Sequence, residues 1–132
     1  MRGRRPSVPP PTPLPGPRGG TTTDVHGHTR RFRIEELAGN VATREDGLSI
    51  AFVRARAGAA EPWLTLHYDE WIAVQTGSIR IEQEGQPDLT VGAGQTVKIS
   101  SGTRFRPSFP EDTTYIPVCV PAFRPDRCVR EE

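Results

Sequence analysis

The rhythm of its turns limits the fold of this chain more than any other feature. From about Arg30 onward apolar and polar residues alternate, and breaks rich in Gly, Asn, Asp or Ser interrupt the alternation roughly every 8–12 residues. Phe32 and Ile34 alternate with Arg31, Arg33 and Glu35, the pattern of a half-buried strand. Leu48, Ile50 and Phe52 share one face of a second strand while Ala51 and Val53 line the other, so burial on both sides is expected there. Short strands follow at residues 64–66, 72–74, 79–81, 89–91 and 97–99, and a longer one at 114–120. A helical turn at 35–38 is possible but stops at Gly39-Asn40, and residues 83–88 read as a turn. Pro117 removes a ladder donor and is expected at an edge or a bulge. Eight or nine short strands with no helix of consequence predict a sandwich, jelly roll or barrel and exclude a parallel α/β sheet.

Length confines this pattern to one core. The chain has 132 residues, of which 34% are hydrophobic, a low share that a Pro-rich start explains: seven of the first seventeen residues are Pro. Residues 1–24 are therefore expected to be a disordered tail, and residues 25–132 the barrel domain. With 17 basic and 16 acidic residues the net charge is +1, which offers no field for nucleic acid or an anionic membrane. Arg2, Arg4, Arg5 and Arg18 form a basic cluster without interleaved aromatics and read as a solvated tail. No apolar run follows Arg4-Arg5 as an export signal requires, and no stretch reaches the length of a membrane span. Cys119 and Cys128 are then expected as free thiols of a cytoplasmic protein.

The specific signal lies between residues 64 and 102. Glu70 is followed after six residues by Gly77, and Gly94 after five by Ser100-Ser101-Gly102. This spacing resembles the two conserved segments of the cupin family, one reading H-x-H, three or four residues, E, six residues, G, the other G, five residues, P-x-G, two residues, H. The stretch Trp63-Leu64-Thr65-Leu66-His67-Tyr68-Asp69-Glu70 is also similar to the W-T-L-x-Y-D-E stretch of the ethanolamine-utilisation Q-type cupins. The resemblance implies a cupin-type jelly-roll β-barrel. Registered on Glu70, Gly94 and Gly102, it places Leu64, Leu66 and Phe105 where the family carries metal-binding histidines. Only Glu70 is left of that ligand set, and a lone carboxylate does not hold a transition metal against water. No metal and no other cofactor are expected.

In that register Glu70 is a carboxylate at a barrel mouth flanked by Leu64, Leu66 and Phe105. Desolvation there raises its pKa toward the range of an acid/base at neutral pH. The competing reading makes Glu70 structural, bonded to backbone or to Arg104 or Arg106. His67 is a second acid/base candidate, although strand alternation sets it opposite Leu64 and Leu66 and an exposed loop position is the plainer reading. Tyr68, Tyr115 and Trp71 have the chemistry to orient a ligand, but aromatics in strands also build cores. Asp69 faces away from Glu70. His26-Gly27-His28 has the spacing of a metal pair but falls in the tail and reads as solvated.

These residues point to a small-molecule site in the barrel interior, with metal-independent isomerase, cyclase, dehydratase or epimerase chemistry at Glu70. The alternative is a non-catalytic module that binds a metabolite or a partner. A homodimer is expected, because one small barrel cannot cover both faces of the strand at 48–53.

Overall fold

A computed structural model describes residues 31–132 and the backbone of residues 18–20. Eleven strands occur among these residues: β1 (Arg18–Gly20), β2 (Phe32–Ala38), β3 (Ser49–Ala55), β4 (Trp63–Leu66), β5 (Asp69–Thr76), β6 (Ser78–Gln83), β7 (Gln86–Gly92), β8 (Thr96–Ile99), β9 (Arg104–Ser108), β10 (Thr113–Val120) and β11 (Cys128–Glu131). They form two antiparallel sheets, ordered β1-β2-β3-β10-β5-β8 and β11-β4-β9-β6-β7. The expected all-β jelly-roll barrel is what forms.

Alternation sets the core. Val53 and Ala55 of β3, Ile72 and Val74 of β5, and Cys119 of β10 point inward from the larger sheet. Leu64 and Leu66 of β4, Phe105 of β9, Ile79 and Ile81 of β6, and Val91 of β7 meet them from the smaller one. Phe105, Phe109, Ile79, Ile81, Ile99 and Val74 are each less than 2% exposed. Burying one such side chain contributes roughly 1.5–3 kcal/mol, so these few residues supply much of the force that closes the sheets.

Several local expectations are corrected. The turn at 35–38 is strand: β2 runs on to Ala38 with a bulge between Glu36 and Ala38. The helical turn lies just beyond, where Thr43 N–H donates to the Gly39 carbonyl (3.1 Å), because the Glu36 carboxylate accepts from the amides of Val41 (2.8 Å) and Ala42 (2.6 Å). The turn at 83–88 shrinks to the tip between β6 and β7, and the strand expected at 89–91 starts at Gln86. Strands β9 and β11 did not register as alternation. Pro107 interrupts the pattern of β9, and β11 has only four residues. Pro117 lies in a central strand, opposite Ile72, and the bulge of β10 falls between Thr114 and Tyr115. Its missing donor is tolerated because the β10–β3 pairing skips Ile116 and Pro117, passing from Tyr115↔Val53 to Val118↔Ile50.

The expected tail at 1–24 lies outside the described residues except at Arg18–Gly20. Those three residues pair with β2, where Arg18 faces Glu36 and Gly20 faces Ile34. The outer edge of β2 carries unpaired ladder groups that any extended segment within reach can satisfy. His26 and His28 also lie outside the described residues.

Candidate functional site

The corner between β4 and β5 builds the site, because the chain passes there from one sheet to the other while keeping its alternation. Leu66 and Tyr68 point inward (3% and 4% exposed), His67 is exposed between them, and Glu70 follows on the inward face with Ile72 and Val74. Backbone hydrogen bonds pin the corner from both sides. The His67 amide donates to the Arg127 carbonyl (2.7 Å), and the Gly102 amide donates to the Leu66 carbonyl (2.9 Å). The Ser101 amide donates to Asp69 Oδ1 (2.9 Å). The turn at 100–102 therefore docks against the start of β5, which is why the spacings around Glu70 and Gly102 belong together. Gly102 has φ +88°, a left-handed conformation that favours glycine.

Glu70 is half-buried on the inward face, and burial pushes its carboxyl up to about 7. A hydrogen bond from Cys119 Sγ to Oε1 (3.9 Å) works against the shift, and the negative charge of Glu61 adds to it. Cys119 is the cross-strand partner of Glu70, with Ile99 opposite on the other side. Burial first, and the charge of Glu70 next, push the phenols of Tyr68 and Tyr115 and the thiol of Cys119 up. These three groups stay protonated at neutral pH, so Glu70 is the member of this set that changes charge near pH 7.

A second polar group shares the inward side. Arg130 faces Leu64 across the β11–β4 ladder, which puts both side chains on one face. Its Nη2 pairs with Glu61 Oε2 at 2.7 Å. Its Nε is buried without a hydrogen-bond acceptor, 3.6 Å from a Glu132 carboxylate oxygen. Cys128, two residues earlier on the same face, is raised to about 11 by burial, against the opposing effect of Arg130.

Leu64, Leu66, Tyr68, Tyr115 and Phe105 thus join Glu70 in one inward set, Tyr115 half-buried and stacked on Phe109 (5.7 Å between ring centroids). His67 does not join it. Pairing His67 with Glu70 as a second acid/base is corrected, because alternation at the corner turns successive side chains to opposite sides. Arg104 and Arg106 are not partners of Glu70 either. They lie over the ring of Trp63 on the outside (4.2 and 5.1 Å) and pair with Glu131 and Glu82. Glu61, Cys119, Cys128 and Arg130 were missed. They stand far from the motif in sequence, and only strand pairing brings them to it. The parity of Arg130 with Cys128 was the available signal, had β11 been recognised.

The metal chemistry typical of cupins does not fit these residues. Leu64, Leu66 and Phe105 carry no donor atoms, and among the described residues no three His, Cys, Asp or Glu side chains converge as a ligand set. Both cysteines are free thiols. No helix among the described residues is long and apolar enough to cross a membrane.

Solved structures share this fold. No family model matches the chain. It is 35% identical over 96 residues to the endoribonuclease YbeY of Myxococcus xanthus, a match covering 71% of this chain and 32% of that protein. The chain thus spans about a third of the length of the curated relative it matches. Among solved structures, the oxalate decarboxylase OxdC of Bacillus subtilis superposes with a TM-score of 0.66 at 18% identity, over 76% of this chain and 28% of that one. KdgF from Halomonas sp. gives 0.61 at 20% identity, over 74% and 85%. A putative ethanolamine utilization protein Q from Salmonella typhimurium gives 0.60 at 23% identity, over 70% and 71%. With two antiparallel sheets closed around an inward-facing Glu70, this chain is a small barrel of the cupin fold.

Proposed function

We propose that the barrel binds a small organic molecule beside Glu70 and moves a proton on it without a metal, in a reaction of the isomerase, cyclase, dehydratase or epimerase type. One observation carries this reading: an inward carboxyl that burial brings to about 7, the value at which one group donates and accepts a proton with equal ease. Tyr68, Tyr115 and the Cys119 thiol supply neutral donors around it, and Leu64, Leu66 and Phe105 keep the wall apolar. The Arg130–Glu61 pair adds a fixed dipole, and the unsatisfied Nε–H of Arg130 suits an oxygen of the ligand. Residues 25–132 are the functional domain in this reading, and the assembly is a homodimer. Two unpaired thiols suit a cytoplasmic setting.

Glu70→Gln tests the reading, since it keeps volume and hydrogen bonding while removing the titratable proton. A ligand found by thermal-shift screening should bind the variant with little change, while turnover falls by roughly 10²–10⁴-fold. His67→Gln should leave turnover within about twofold, because an exposed side chain outside the barrel supplies none of that general acid/base factor. Full activity of Glu70→Gln would remove Glu70 from the chemistry.

A second reading, a non-catalytic module that binds a metabolite or a partner, draws on the match to about a third of a longer enzyme. It predicts ligand binding with no turnover in the wild-type protein.

A further inference from the structure

We propose that the ligand is a carbonyl compound with a hydrogen on the carbon beside its carbonyl, and that Tyr115 is the catalytic partner of Glu70. The Tyr115 phenol hydrogen-bonds the carbonyl oxygen while Glu70 takes the neighbouring hydrogen as a proton. This rests on the Glu70 reading and adds the substrate class and the group that meets the developing charge.

Strand pairing puts Tyr115 on the inward face of β10, between Val53 of β3 and Val74 of β5. Both valines are sealed (2% and 1% exposed), yet Tyr115 keeps part of its surface open. The ladder accounts for the difference. Thr114 faces Thr76 and Tyr115 faces Val74, so β5 carries Gln75 as an extra residue and the register shifts beside Tyr115. A bulge of this kind bends the strand and re-aims the side chain next to it. The re-aimed ring is held by its stack on Phe109 (5.7 Å, 17° between planes). Phe109 is fixed in turn, edge-on to Phe32 (5.5 Å) and by backbone hydrogen bonds with Gly58 and Ala59.

The phenol at the tip of this ring has no hydrogen-bond partner among the described residues, and it is not sealed from solvent. Its inward neighbours are already engaged. The Thr113 hydroxyl donates to backbone carbonyls of Ser78 and Glu111, and the Cys119 thiol donates to Glu70. Tyr68 is 4% exposed, with its ring edge against Phe123 and its phenol beside the Cys119 thiol. Among the hydroxyls and thiols of this face, Tyr115 thus keeps a donor that a ligand can use.

Of the charges around that phenol, Glu70 acts on it most strongly. Val74, opposite Tyr115, is four residues from Glu70 along β5, about 13 Å at the rise of an extended strand. A tyrosine and a glutamate that lean together over this span leave room for a small carbonyl compound between them. Carbon gives up a proton where a neighbouring group takes the electron pair, and a carbonyl does so. The ionised Glu70 forms the new bond to hydrogen, and the C–H pair becomes the carbon–carbon double bond of an enolate. The carbonyl π pair moves onto oxygen, where the Tyr115 O–H tightens its hydrogen bond and keeps its proton. Glu70 then returns the proton to carbon and the carbonyl re-forms, with no oxidant or co-reactant. A neutral donor held in place stabilises the charged transition state more than the uncharged ground state.

Proton NMR in D2O tests this on the full chain, with hydroxyacetone, dihydroxyacetone, 2-oxobutanoate and cyclohexanone as probes. At least one should lose its α-hydrogen signal faster with the protein than without it. Tyr115→Phe keeps the ring and its stack on Phe109, so its far-ultraviolet spectrum should be unchanged. Its kcat for exchange should fall by roughly 10²–10³-fold, the effect of losing one oxyanion donor, with KM changed far less. Glu70→Gln should lower exchange by roughly 10²–10⁴-fold. If none of the four probes exchanges, the carbonyl class is overturned, while the Glu70 reading keeps its own thermal-shift and turnover test. Exchange that Glu70→Gln stops but Tyr115→Phe leaves within about twofold overturns the role of Tyr115 alone. Exchange that survives Glu70→Gln overturns both readings.

Discussion

Glu70→Gln also makes a thermodynamic prediction that needs no substrate. The Glu70 carboxyl is raised from 4.5 to about 7, chiefly by burial. A group with a raised folded-state pKa holds its proton in the folded protein after the unfolded chain has released it, so stability falls as pH rises between those values. Below 4.5 the acid is neutral in both states and adds nothing. Above about 7 it is ionised in both, and the full cost of a charge in the barrel is present. Some two and a half pKa units at 1.36 kcal/mol each amount to about 3 kcal/mol. Gln carries no charge at any pH and escapes this cost. The difference in unfolding free energy, Gln variant minus wild type, should therefore grow by about 3 kcal/mol between about pH 4.5 and about pH 8.5. In melting temperature that is on the order of 10 °C for a domain of this size. Urea denaturation followed by the fluorescence of Trp63 and Trp71 measures it, and every other titrating group cancels in the difference. A difference that stays flat with pH would refute the premise that Glu70 is desolvated. A variant destabilised equally at all pH values would make Glu70 a structural hydrogen-bonding residue.

Two further predictions follow from the motif positions. Gly77 has φ +79°, and a Cβ there would run into the Asp112 carbonyl oxygen and the Thr113 hydroxyl. Gly77→Ala should thus cost more than about 2 kcal/mol, whereas Gly94→Ala, at φ +81° with nothing within 4 Å, should cost about 1. Equal urea midpoints for the two variants would contradict the packing around the β5–β6 turn. Protein purified without added metal should carry less than about a tenth of an equivalent of any transition metal, because Leu64, Leu66 and Phe105 replace donors that such a site requires; near-stoichiometric metal by elemental analysis would overturn the metal-independent reading.

The sequence by itself determined the fold class and one wall of the site. Period-two alternation broken by frequent turns suffices for an all-β barrel, because each strand carries its own record of which side is buried. The spacing from Glu70 to Gly77 and from Gly94 to Gly102 located the hairpins, since positive-φ turns leave glycines at fixed offsets. The same alternation set His67 opposite Leu64 and Leu66, and the structure finds it exposed. Tertiary structure alone decided what else meets Glu70. Cys119 lies 49 residues away and hydrogen-bonds to it, and Arg130 reaches the inward side through the β11–β4 ladder, with Glu61 paired to it. Strand order is a property of pairing between distant segments, and no local pattern encodes it. Pro117 makes the same point from the backbone: its lack of a donor is visible in sequence, but the interrupted ladder that accommodates it inside a central strand exists only once β3 and β10 have met.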